Sequence, residues 1–442
     1  MTTQDRANRV LDQVSAARAT GDLIVDASQS LSLKARHGDL EEHKVSSRQV
    51  FGLRVIKDGH VGTAYSEDND TSALTSIVEQ ALVNASFAGE DLNETILPNT
   101  GKLRTDDALL HPDEDANIED QIEMALRLER ELSSRDKIAS VPYNGVQDSS
   151  SERQVFTSSG MSAVSRSRVC VCFAYAIAEE GENNAMEGAG QVSRLFSELD
   201  DARIVDKAHA DCLNILEGKP VPSKRYDVIF NEETQTDMFG VFASMFSGKS
   251  AKDGVNPMRD KVGEVIADSR LTIRDNPLII EGHGYALFDA EGTATRTTPL
   301  VADGKLETLI HNSATASHFD LQTTGHASRS PRSTLGVSLH QIEILPGAES
   351  EASLTSGEYI ELTNLDGLHS GGNAISGDFS FGAAGYLCND GQRIQPVRGI
   401  TVAGNFFQML QKIAAIGSDQ KWNWQKDSLM PSIRFSDVAI SG

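Results

Sequence analysis

Cysteine is scarce in this sequence, with four residues in 442. Cys170, Cys172, Cys212 and Cys388 are too few and too scattered to form the disulfide framework of a small secreted protein. Cys170 and Cys172 alternate along a strand-like run and therefore point to one face of it. We interpret both as buried packing thiols; the alternative is a metal-binding or redox pair.

Long apolar runs are also missing. The longest covers residues 169–178 and is rich in strand-forming side chains, whereas a helix that crosses a bilayer needs about 20 residues. The N-terminal segment MTTQDRANRVLDQV is charged and lacks the apolar segment of a signal peptide. The sequence therefore predicts a cytoplasmic protein with no membrane contact, in which residues 169–178 form a buried strand.

Clusters of basic residues are absent as well. The chain has 40 Lys and Arg against 64 Asp and Glu, a formal net charge of −24, and its longest basic run is Lys224-Arg225. Contacts with nucleic-acid phosphates require clustered basic side chains. The sequence therefore predicts no nucleic-acid partner.

Common catalytic motifs are not found either. No serine lies in a Gly-x-Ser-x-Gly elbow, and none of the eleven histidines is followed by the glutamate of a zinc-peptidase helix. The segment Gly371-Gly372-Asn373 lacks the lysine and the helix start that a phosphate loop needs. From the sequence we predict no catalytic residue, no cofactor site and no metal ligand in this chain.

The patterns that are present alternate between strands and helices. Residues 51–56 and 61–65 read as two strands joined at Asp58-Gly59, followed by an amphipathic helix over residues 71–88. The order strand, Asp-Gly turn, strand, helix recurs around Asp303-Gly304 and Asp390-Gly391. In the third unit the returning strand ends at Val402, and a helix entered through Gly404-Asn405 completes the stretch to Asp419.

A domain boundary is expected at Gly218-Lys219-Pro220-Val221-Pro222, where two prolines and a glycine stop a predicted helix over residues 206–217. The predicted fold class is α+β, with mixed sheets and flanking helices. We predict an N-terminal α/β domain over residues 1–220 and a strand-rich C-terminal domain over residues 221–442.

The first predicted helix after this boundary covers residues 234–246. Its apolar residues recur at core spacing, so residues 239–244 are interpreted as part of a packing helix. The polar, glycine-punctuated segment that follows, residues 246–260, is predicted to be an exposed loop.

Several motifs resemble the TldD/PmbA family, and in detail its PmbA (TldE) branch. The resemblance covers roughly the whole chain and is most specific in the C-terminal half. The matching motifs are Arg36-His37-Gly38-Asp39-Leu40-Glu41-Glu42, Phe51-Gly52-Leu53-Arg54-Val55, Ala286-Leu287-Phe288-Asp289-Ala290-Glu291-Gly292, Thr295-Arg296, Asp303-Gly304, Thr323-Thr324-Gly325-His326-Ala327, Ser376-Gly377-Asp378-Phe379-Ser380, Gly382-Ala383-Ala384-Gly385, Pro396-Val397, Ile400-Thr401-Val402-Ala403-Gly404-Asn405, Met409-Leu410 and Leu429-Met430-Pro431.

The resemblance implies a role in a zinc-peptidase assembly. TldD-branch proteins carry His-Glu-x-x-x-His on a helix and a further cysteine ligand near the C-terminus. At the corresponding place this chain reads Phe239-Gly240-Val241-Phe242-Ala243-Ser244, and no cysteine follows Asp419. The resemblance therefore implies a metal-free subunit, either a homodimer or a heterodimer with a TldD-type subunit. Zinc is expected only in that partner, and the substrates are unfolded or extended peptides.

The resemblance places the glycine-rich stretch before residue 385 close to the peptide, and the candidate peptide-cleft residues there are Gly371, Gly372, Asn373, Asp378 and Ser380. His326 and Arg329 are further candidates, because they are polar residues in a glycine-bearing loop. For the glycines, the alternative is that they only satisfy the geometry of sheet turns. For the whole chain, the alternatives are a homodimeric, non-enzymatic binding or regulatory protein and a peptidase with a non-standard site.

Overall fold

The computed structural model describes residues 1–99, 101 and 103–442. An antiparallel six-stranded sheet organises the N-terminal half, with strand order β3-β2-β1-β4-β5-β6. Its strands are β1 (Thr20–Arg36), β2 (Asp39–Lys57), β3 (His60–Ser66), β4 (Ile138–Thr157), β5 (Ser162–Glu180) and β6 (Asn183–Ser193). The helices of this half are α1 (Thr3–Ala16), α2 (Thr71–Phe87), α3 (Asp107–Leu110), α4 (Ile118–Ser133) and α5 (Asp201–Glu217).

The two faces of this sheet have different partners. Residues Leu23, Val25 and Leu33 of β1 point to one face, where α1 and α2 cover one end and α4 and α5 cover the other. Ile24 points to the opposite face and packs with Ala290 and Ala327 of the C-terminal half. Because side chains alternate along a strand, the even-numbered residues of β1 in this region face the C-terminal half.

The C-terminal half is built on a ten-stranded mixed sheet, in the order β10-β9-β8-β13-β18-β16-β15-β14-β7, with β17 paired to β18. Its strands, with the separate pair β11 and β12, are β7 (Lys224–Phe230), β8 (Ile273–Asp275), β9 (Thr298–Ala302), β10 (Lys305–Leu306), β11 (Ala327–Ser328), β12 (Gly336–Val337), β13 (Ile342–Ile344), β14 (Glu358–Asp366), β15 (Asp378–Asn389), β16 (Gln392–Asn405), β17 (Ile413–Trp422) and β18 (Ser428–Ser441). The helices are α6 (Glu232–Phe242), α7 (Gly248–Lys252), α8 (Ser313–His318), α9 (Glu351–Leu354), α10 (Leu368–Gly371) and α11 (Phe406–Met409).

Five strands of this sheet form a closed ring. Strand β7 pairs in parallel with β14 and antiparallel with β18, and β18 returns to β14 through β16 and β15. Closure removes the free edges of these strands. The largest apolar core of the described residues includes side chains of this ring together with α6 and α11, among them Phe230, Phe242, Phe381 and Phe435.

The structure confirms the α+β class and the three Asp-Gly turns. Both residues of each turn have positive φ, for example 48° at Asp390 and 78° at Gly391. This backbone conformation matches the twist of the two strands that the turn joins. The division into domains at residues 220 and 221 stays a prediction, although the two large sheets lie on either side of that point.

Two of the sequence predictions are wrong. The helix entered through Gly404-Asn405 ends at Met409, because the apolar residues from Ile413 onward pair with β18 as β17. The predicted exposed loop over residues 246–260 is folded: it contains α7 and buries Ala251 and Met258. The Asn256 amide holds this segment by donating to the carbonyl oxygens of Met245 and Ser247, at 3.1 and 2.9 Å.

None of the helices in the described ranges is long and apolar enough to cross a membrane.

Candidate functional site

Helix α6 lies where a zinc helix would be expected from the family resemblance. Its inner face is aromatic: Phe239 and Phe242 contact Phe406 with ring centroids 5.3 and 4.5 Å apart. The interpretation of residues 239–244 as one packing helix is only partly correct. Gly240 is exposed with open space around its Cα, and the helix ends at Phe242 in a 3-10 turn over Ala243–Phe246.

The glycine turn around residue 371 packs against its own chain. A Cβ on Gly371 would lie 2.3 Å from the carbonyl oxygen of Ser380, and one on Gly372 would lie 2.7 Å from the Val241 side chain. Such separations are far below van der Waals contact, so the close approach of two backbone segments at Gly371 requires glycine. The geometry accounts for the glycines without a ligand, and their role in a peptide cleft stays a prediction.

Asn373 and Asp378 brace this turn. Asn373 Oδ1 accepts from the backbone N–H groups of Ile375 and Ser376, at 3.0 and 3.1 Å. Asp378 accepts from Asn405 Nδ2 at 2.9 Å and from Ser376 Oγ at 2.8 Å, and these hydrogen bonds lower its pKa. Ser380 is exposed at the start of β15. The turn is thus held in shape by side-chain bonds to the backbone.

His326 lies elsewhere, in a buried cluster with two residues that sequence reasoning missed. Its Nε2 is 2.9 Å from Asp275 Oδ2, and the same oxygen is 3.0 Å from Nδ1 of His340. Among the described residues, these three form the one group of His, Cys, Asp or Glu side chains whose ligand atoms could surround a metal ion. Asp275 ends β8, His340 precedes β13, and His326 precedes β11, so the fold alone brings them together.

The protein fixes the orientation of this cluster. Asp275 Oδ1 accepts from the backbone N–H groups of His340 and Gln341, at 2.8 and 2.9 Å. Nδ1 of His326 lies 3.0 Å from the carbonyl oxygen of Thr324 and 2.8 Å from its hydroxyl. Burial opposes ionisation of Asp275, but the hydrogen bonds from the two histidines outweigh it and hold the pKa of Asp275 well below its usual range.

Arg329 belongs to a second buried cluster, which joins the two halves of the chain. Its guanidinium pairs with Asp22 and donates to the carbonyl oxygen of Gly52 at 2.8 Å. Arg54 binds the other oxygen of Asp22 at 2.6 Å and also contacts Glu94 at 2.8 Å. Arg329 is 3% exposed and therefore offers little surface to a peptide.

A cavity of about 720 Å³ lies between the two halves, beside these two clusters. One wall is the even-residue face of β1 with its neighbours, where Arg153 holds Asp26 through two hydrogen bonds of 2.7 and 2.6 Å. The opposite wall includes His283, residues 285–290, Ser338 and His340. His340 therefore connects the buried cluster with the cavity, whereas neither His326 nor Arg329 lies on its wall.

A smaller polar pocket, about 460 Å³, lies where α5 and β6 approach the N-terminal end of α6. Two of its carboxyls are buried enough to raise their pKa values to about 7, those of Glu187 and Glu233. Glu187 accepts from Asn364 Nδ2 at 2.7 Å, and Glu233 accepts from the backbone N–H of Trp424 at 2.8 Å. The first hydrogen bond joins β6 to β14, and the second joins α6 to the turn that follows β17.

Sequence reasoning missed Asp275, His340, Asp22 and Glu291 as site residues, since no local spacing links them. A signal existed for part of the second cluster. Gly52 and Arg54 lie in the family-like motif at residues 51–55, and Glu291 lies in the one at residues 286–292. The guanidinium of Arg54 is 3.5 Å from the carboxylate of Glu291. Motifs that are distant in sequence therefore meet at the boundary between the halves.

Three family models match the chain. The model described as the PmbA/TldA metallopeptidase C-terminal domain matches residues 223–442, domain 1 matches residues 21–85, and the central domain matches residues 111–211. Together these matches cover most of the chain. The match to the C-terminal model begins just before β7, the first strand of the second large sheet.

Relatives and solved structures agree with the family models. The metalloprotease PmbA of Escherichia coli O157:H7 is 28% identical over 94% of this chain and 91% of its own length. A Thermotoga maritima protein, solved as a proposed modulator of a DNA gyrase, superposes with a TM-score of 0.88 at 22% identity over 100% of both chains. TldE of Thermococcus kodakarensis gives a TM-score of 0.86 at 21% identity over 99% of this chain and 100% of its own. This chain belongs to the TldD/PmbA family, in its PmbA (TldE) branch.

Proposed function

We propose that this chain is the non-catalytic subunit of a TldD-type zinc-peptidase assembly that degrades or processes unfolded peptides. In this proposal the chain pairs with a TldD-type subunit, or with itself when isolated. The partner carries the zinc and the peptidase chemistry, and this chain supplies part of the wall that encloses the peptide.

The observation that carries the proposal is the composition of α6. A zinc-peptidase helix needs two histidines one turn apart with a glutamate between them, all directed to one ion. Here the corresponding positions hold Phe239, Gly240 and Ser244. Phe239 packs against Phe406 and Gly240 faces open space, so the three positions of the zinc motif hold neither a histidine nor a glutamate.

Peptide binding by this chain is supported by the outer strands of its six-stranded sheet. An extended peptide can add to the outer strand of a sheet through backbone hydrogen bonds, which favours unfolded substrates. The outer strands of the six-stranded sheet are β3 and β6, whereas the outer edge of β10 in the second sheet is already hydrogen-bonded to Gly263 and Glu264. Names of relatives, such as metalloprotease PmbA, are in keeping with a role in proteolysis.

The test is reconstitution with a TldD-type protein from the same organism. Each chain alone and the equimolar mixture are examined by size-exclusion chromatography with light scattering and by cleavage of a fluorogenic extended peptide. We expect a heterodimer to form at the expense of homodimers, and cleavage above that of the TldD-type chain alone to appear only in the mixture.

The matched control is a mixture in which the partner's motif glutamate is replaced by glutamine. That mixture should assemble normally but cleave nothing, because the partner provides the general base. Chelator-sensitive cleavage by this chain alone would instead favour a peptidase with a non-standard site. A chain that binds no TldD-type protein at micromolar concentration would favour a homodimeric binding or regulatory protein.

A further inference from the structure

The cluster of Asp275, His326 and His340 has the composition of a metal site that α6 lacks. Its three donor atoms, one carboxylate oxygen and two ring nitrogens, lie within 4.8 Å of one another. We propose that this cluster binds one zinc ion, through Asp275 Oδ2, His326 Nε2 and His340 Nδ1.

The two ring nitrogens of His326 have partners that suit a metal ligand. Nδ1 lies 3.0 Å from the carbonyl oxygen of Thr324, and in the tautomer that donates to this oxygen Nε2 is unprotonated and free to bind a cation. Nε2 faces Asp275 Oδ2 at 2.9 Å. Without a metal ion, a proton on Nε2 bridges the two atoms; in the proposed site zinc takes the place of that proton.

The surroundings of the three residues resemble the outer hydrogen bonds of known metal sites. A histidine ligand usually donates its second ring N–H to a carbonyl or carboxylate, and a carboxylate ligand is itself held by hydrogen bonds. Thr324 takes the first role for His326. The backbone N–H groups of His340 and Gln341 take the second role by occupying Asp275 Oδ1, which leaves Oδ2 for the ion.

The donor set selects the class of metal. Two imidazoles and one carboxylate suit zinc and other divalent first-row transition ions, whereas Mg²⁺ and Ca²⁺ prefer oxygen ligands alone. Zinc bonds of this kind are about 2.0–2.2 Å long, which places tetrahedral ligand atoms about 3.3 Å apart. The two distances from Asp275 Oδ2, 2.9 and 3.0 Å, are slightly shorter than this, and the two ring nitrogens lie within 4.8 Å of each other. His340 lines the 720 Å³ cavity, so the proposed site lies beside a space that can hold a water molecule or a substrate.

This inference is independent of the proposed function. It departs from the expectation of a metal-free chain, because Asp275 lies 51 residues before His326 and the three ligands form no local motif in the sequence. The site is also far in sequence from α6, so zinc bound here would not turn α6 into a peptidase helix. Metal content tests this site, and cleavage by the reconstituted mixture tests the proposed function, so the two can fail separately.

The experiment compares zinc binding in the wild-type chain, His340→Gln and His283→Gln after dialysis against a chelator. His283 is the matched control, since it is a half-buried histidine on the same cavity but outside the cluster. Titration with zinc chloride against a chromophoric competitor should give one site per chain in the wild type and in His283→Gln. Removing a ligand should weaken binding by at least about 100-fold in His340→Gln, since even outer-shell changes cost 10–100-fold.

A second measurement needs no variant and so survives a failure of His340→Gln to fold. Diethyl pyrocarbonate modification of the wild-type chain, mapped by mass spectrometry, should fall at His340 when zinc is added and remain unchanged at His283. Cobalt in place of zinc should give the intense visible bands of a tetrahedral site. Equal zinc affinity in all three proteins, or no zinc protection of His340, would overturn the proposal and leave the cluster as a hydrogen-bonded network.

Discussion

The guanidinium of Arg329 donates to the carbonyl oxygen of Gly52 across the boundary between the two halves, at 2.8 Å. Gly52 is required at this contact, because a Cβ there would lie 2.1 Å from the carbonyl oxygen of Pro331. The loop that carries Arg329 and Pro331 therefore lies directly on β2. Together with the pairing of Arg329 and Asp22, this contact fixes the position of the C-terminal half on the N-terminal sheet.

Replacing Arg329 should strongly destabilise the protein. Arg329→Met leaves part of the buried charge of Asp22 without its partner, and breaking a buried ion pair from one side costs about 3–5 kcal/mol. The measurement is urea unfolding followed by circular dichroism. The control is Arg332→Met on the same loop, whose exposed pair with Glu67 should contribute less than about 1 kcal/mol. Similar losses of unfolding free energy in both variants would show that the buried cluster contributes no more to stability than an exposed ion pair.

Two glycines near α6 should respond to alanine in opposite directions. In Gly371→Ala the new Cβ meets the Ser380 carbonyl oxygen at 2.3 Å, so we expect a loss of about 1–3 kcal/mol from strain. In Gly240→Ala nothing lies within 4 Å, and the better helix former should add up to about 1 kcal/mol. Thermal unfolding of both variants checks this. If Gly371→Ala keeps wild-type stability but loses activity in the reconstituted mixture, the glycine acts on the peptide.

The polar pocket should make stability depend on pH. Burial raises the pKa of Glu187 to about 7 from an ordinary value of 4.5. The folded chain therefore holds this proton more tightly than the unfolded chain, and stability falls as pH rises from about 4.5 to about 7. Glu187→Gln removes this loss, which corresponds to at most about 3 kcal/mol. We expect the variant to unfold at a higher temperature than the wild type at pH 8 and at a similar one at pH 4.5.

The matched control for this pH effect is Glu182→Gln on the exposed turn before β6. It should leave the unfolding temperature unchanged at both pH values. A Glu187→Gln variant that is less stable than the wild type at pH 8 would mean that the hydrogen bond from Asn364 outweighs the burial of the charge.

The cysteines should react only after unfolding. Cys170 and Cys172 are fully buried on one face of β5, and burial raises the pKa of each thiol to about 12. Thiolates are the reactive species, so iodoacetamide should leave both unmodified in the native chain and label them in urea, as measured by mass spectrometry. Rapid native labelling of the two together would instead favour the alternative of a redox or metal pair.

Local pattern was enough to predict much of the fold. The Asp-Gly turns and α2 follow from turn chemistry and apolar spacing within about 20 residues. The helix predicted after Asn405 failed because pairing with β18, formed by residues 428–441, overrides local preference. The same distinction holds for the site. The lack of a zinc motif in α6 is visible in the sequence, whereas Asp275 and His340 become neighbours of His326 only through β8 and β13.

The strand ring of the C-terminal half has a consequence for synthesis on the ribosome. Lys224 near the start of β7 pairs with Ile440 near the end of β18, so the ring cannot close until residues 428–441 have emerged. The N-terminal sheet, complete at Ser193, can form earlier. Until residues 291 and 329 have emerged, Asp22 and Arg54 have each other but not Glu291 or Arg329. A nascent chain therefore exposes the face of β1 that later meets the second half, and this face is where a chaperone would be expected to bind.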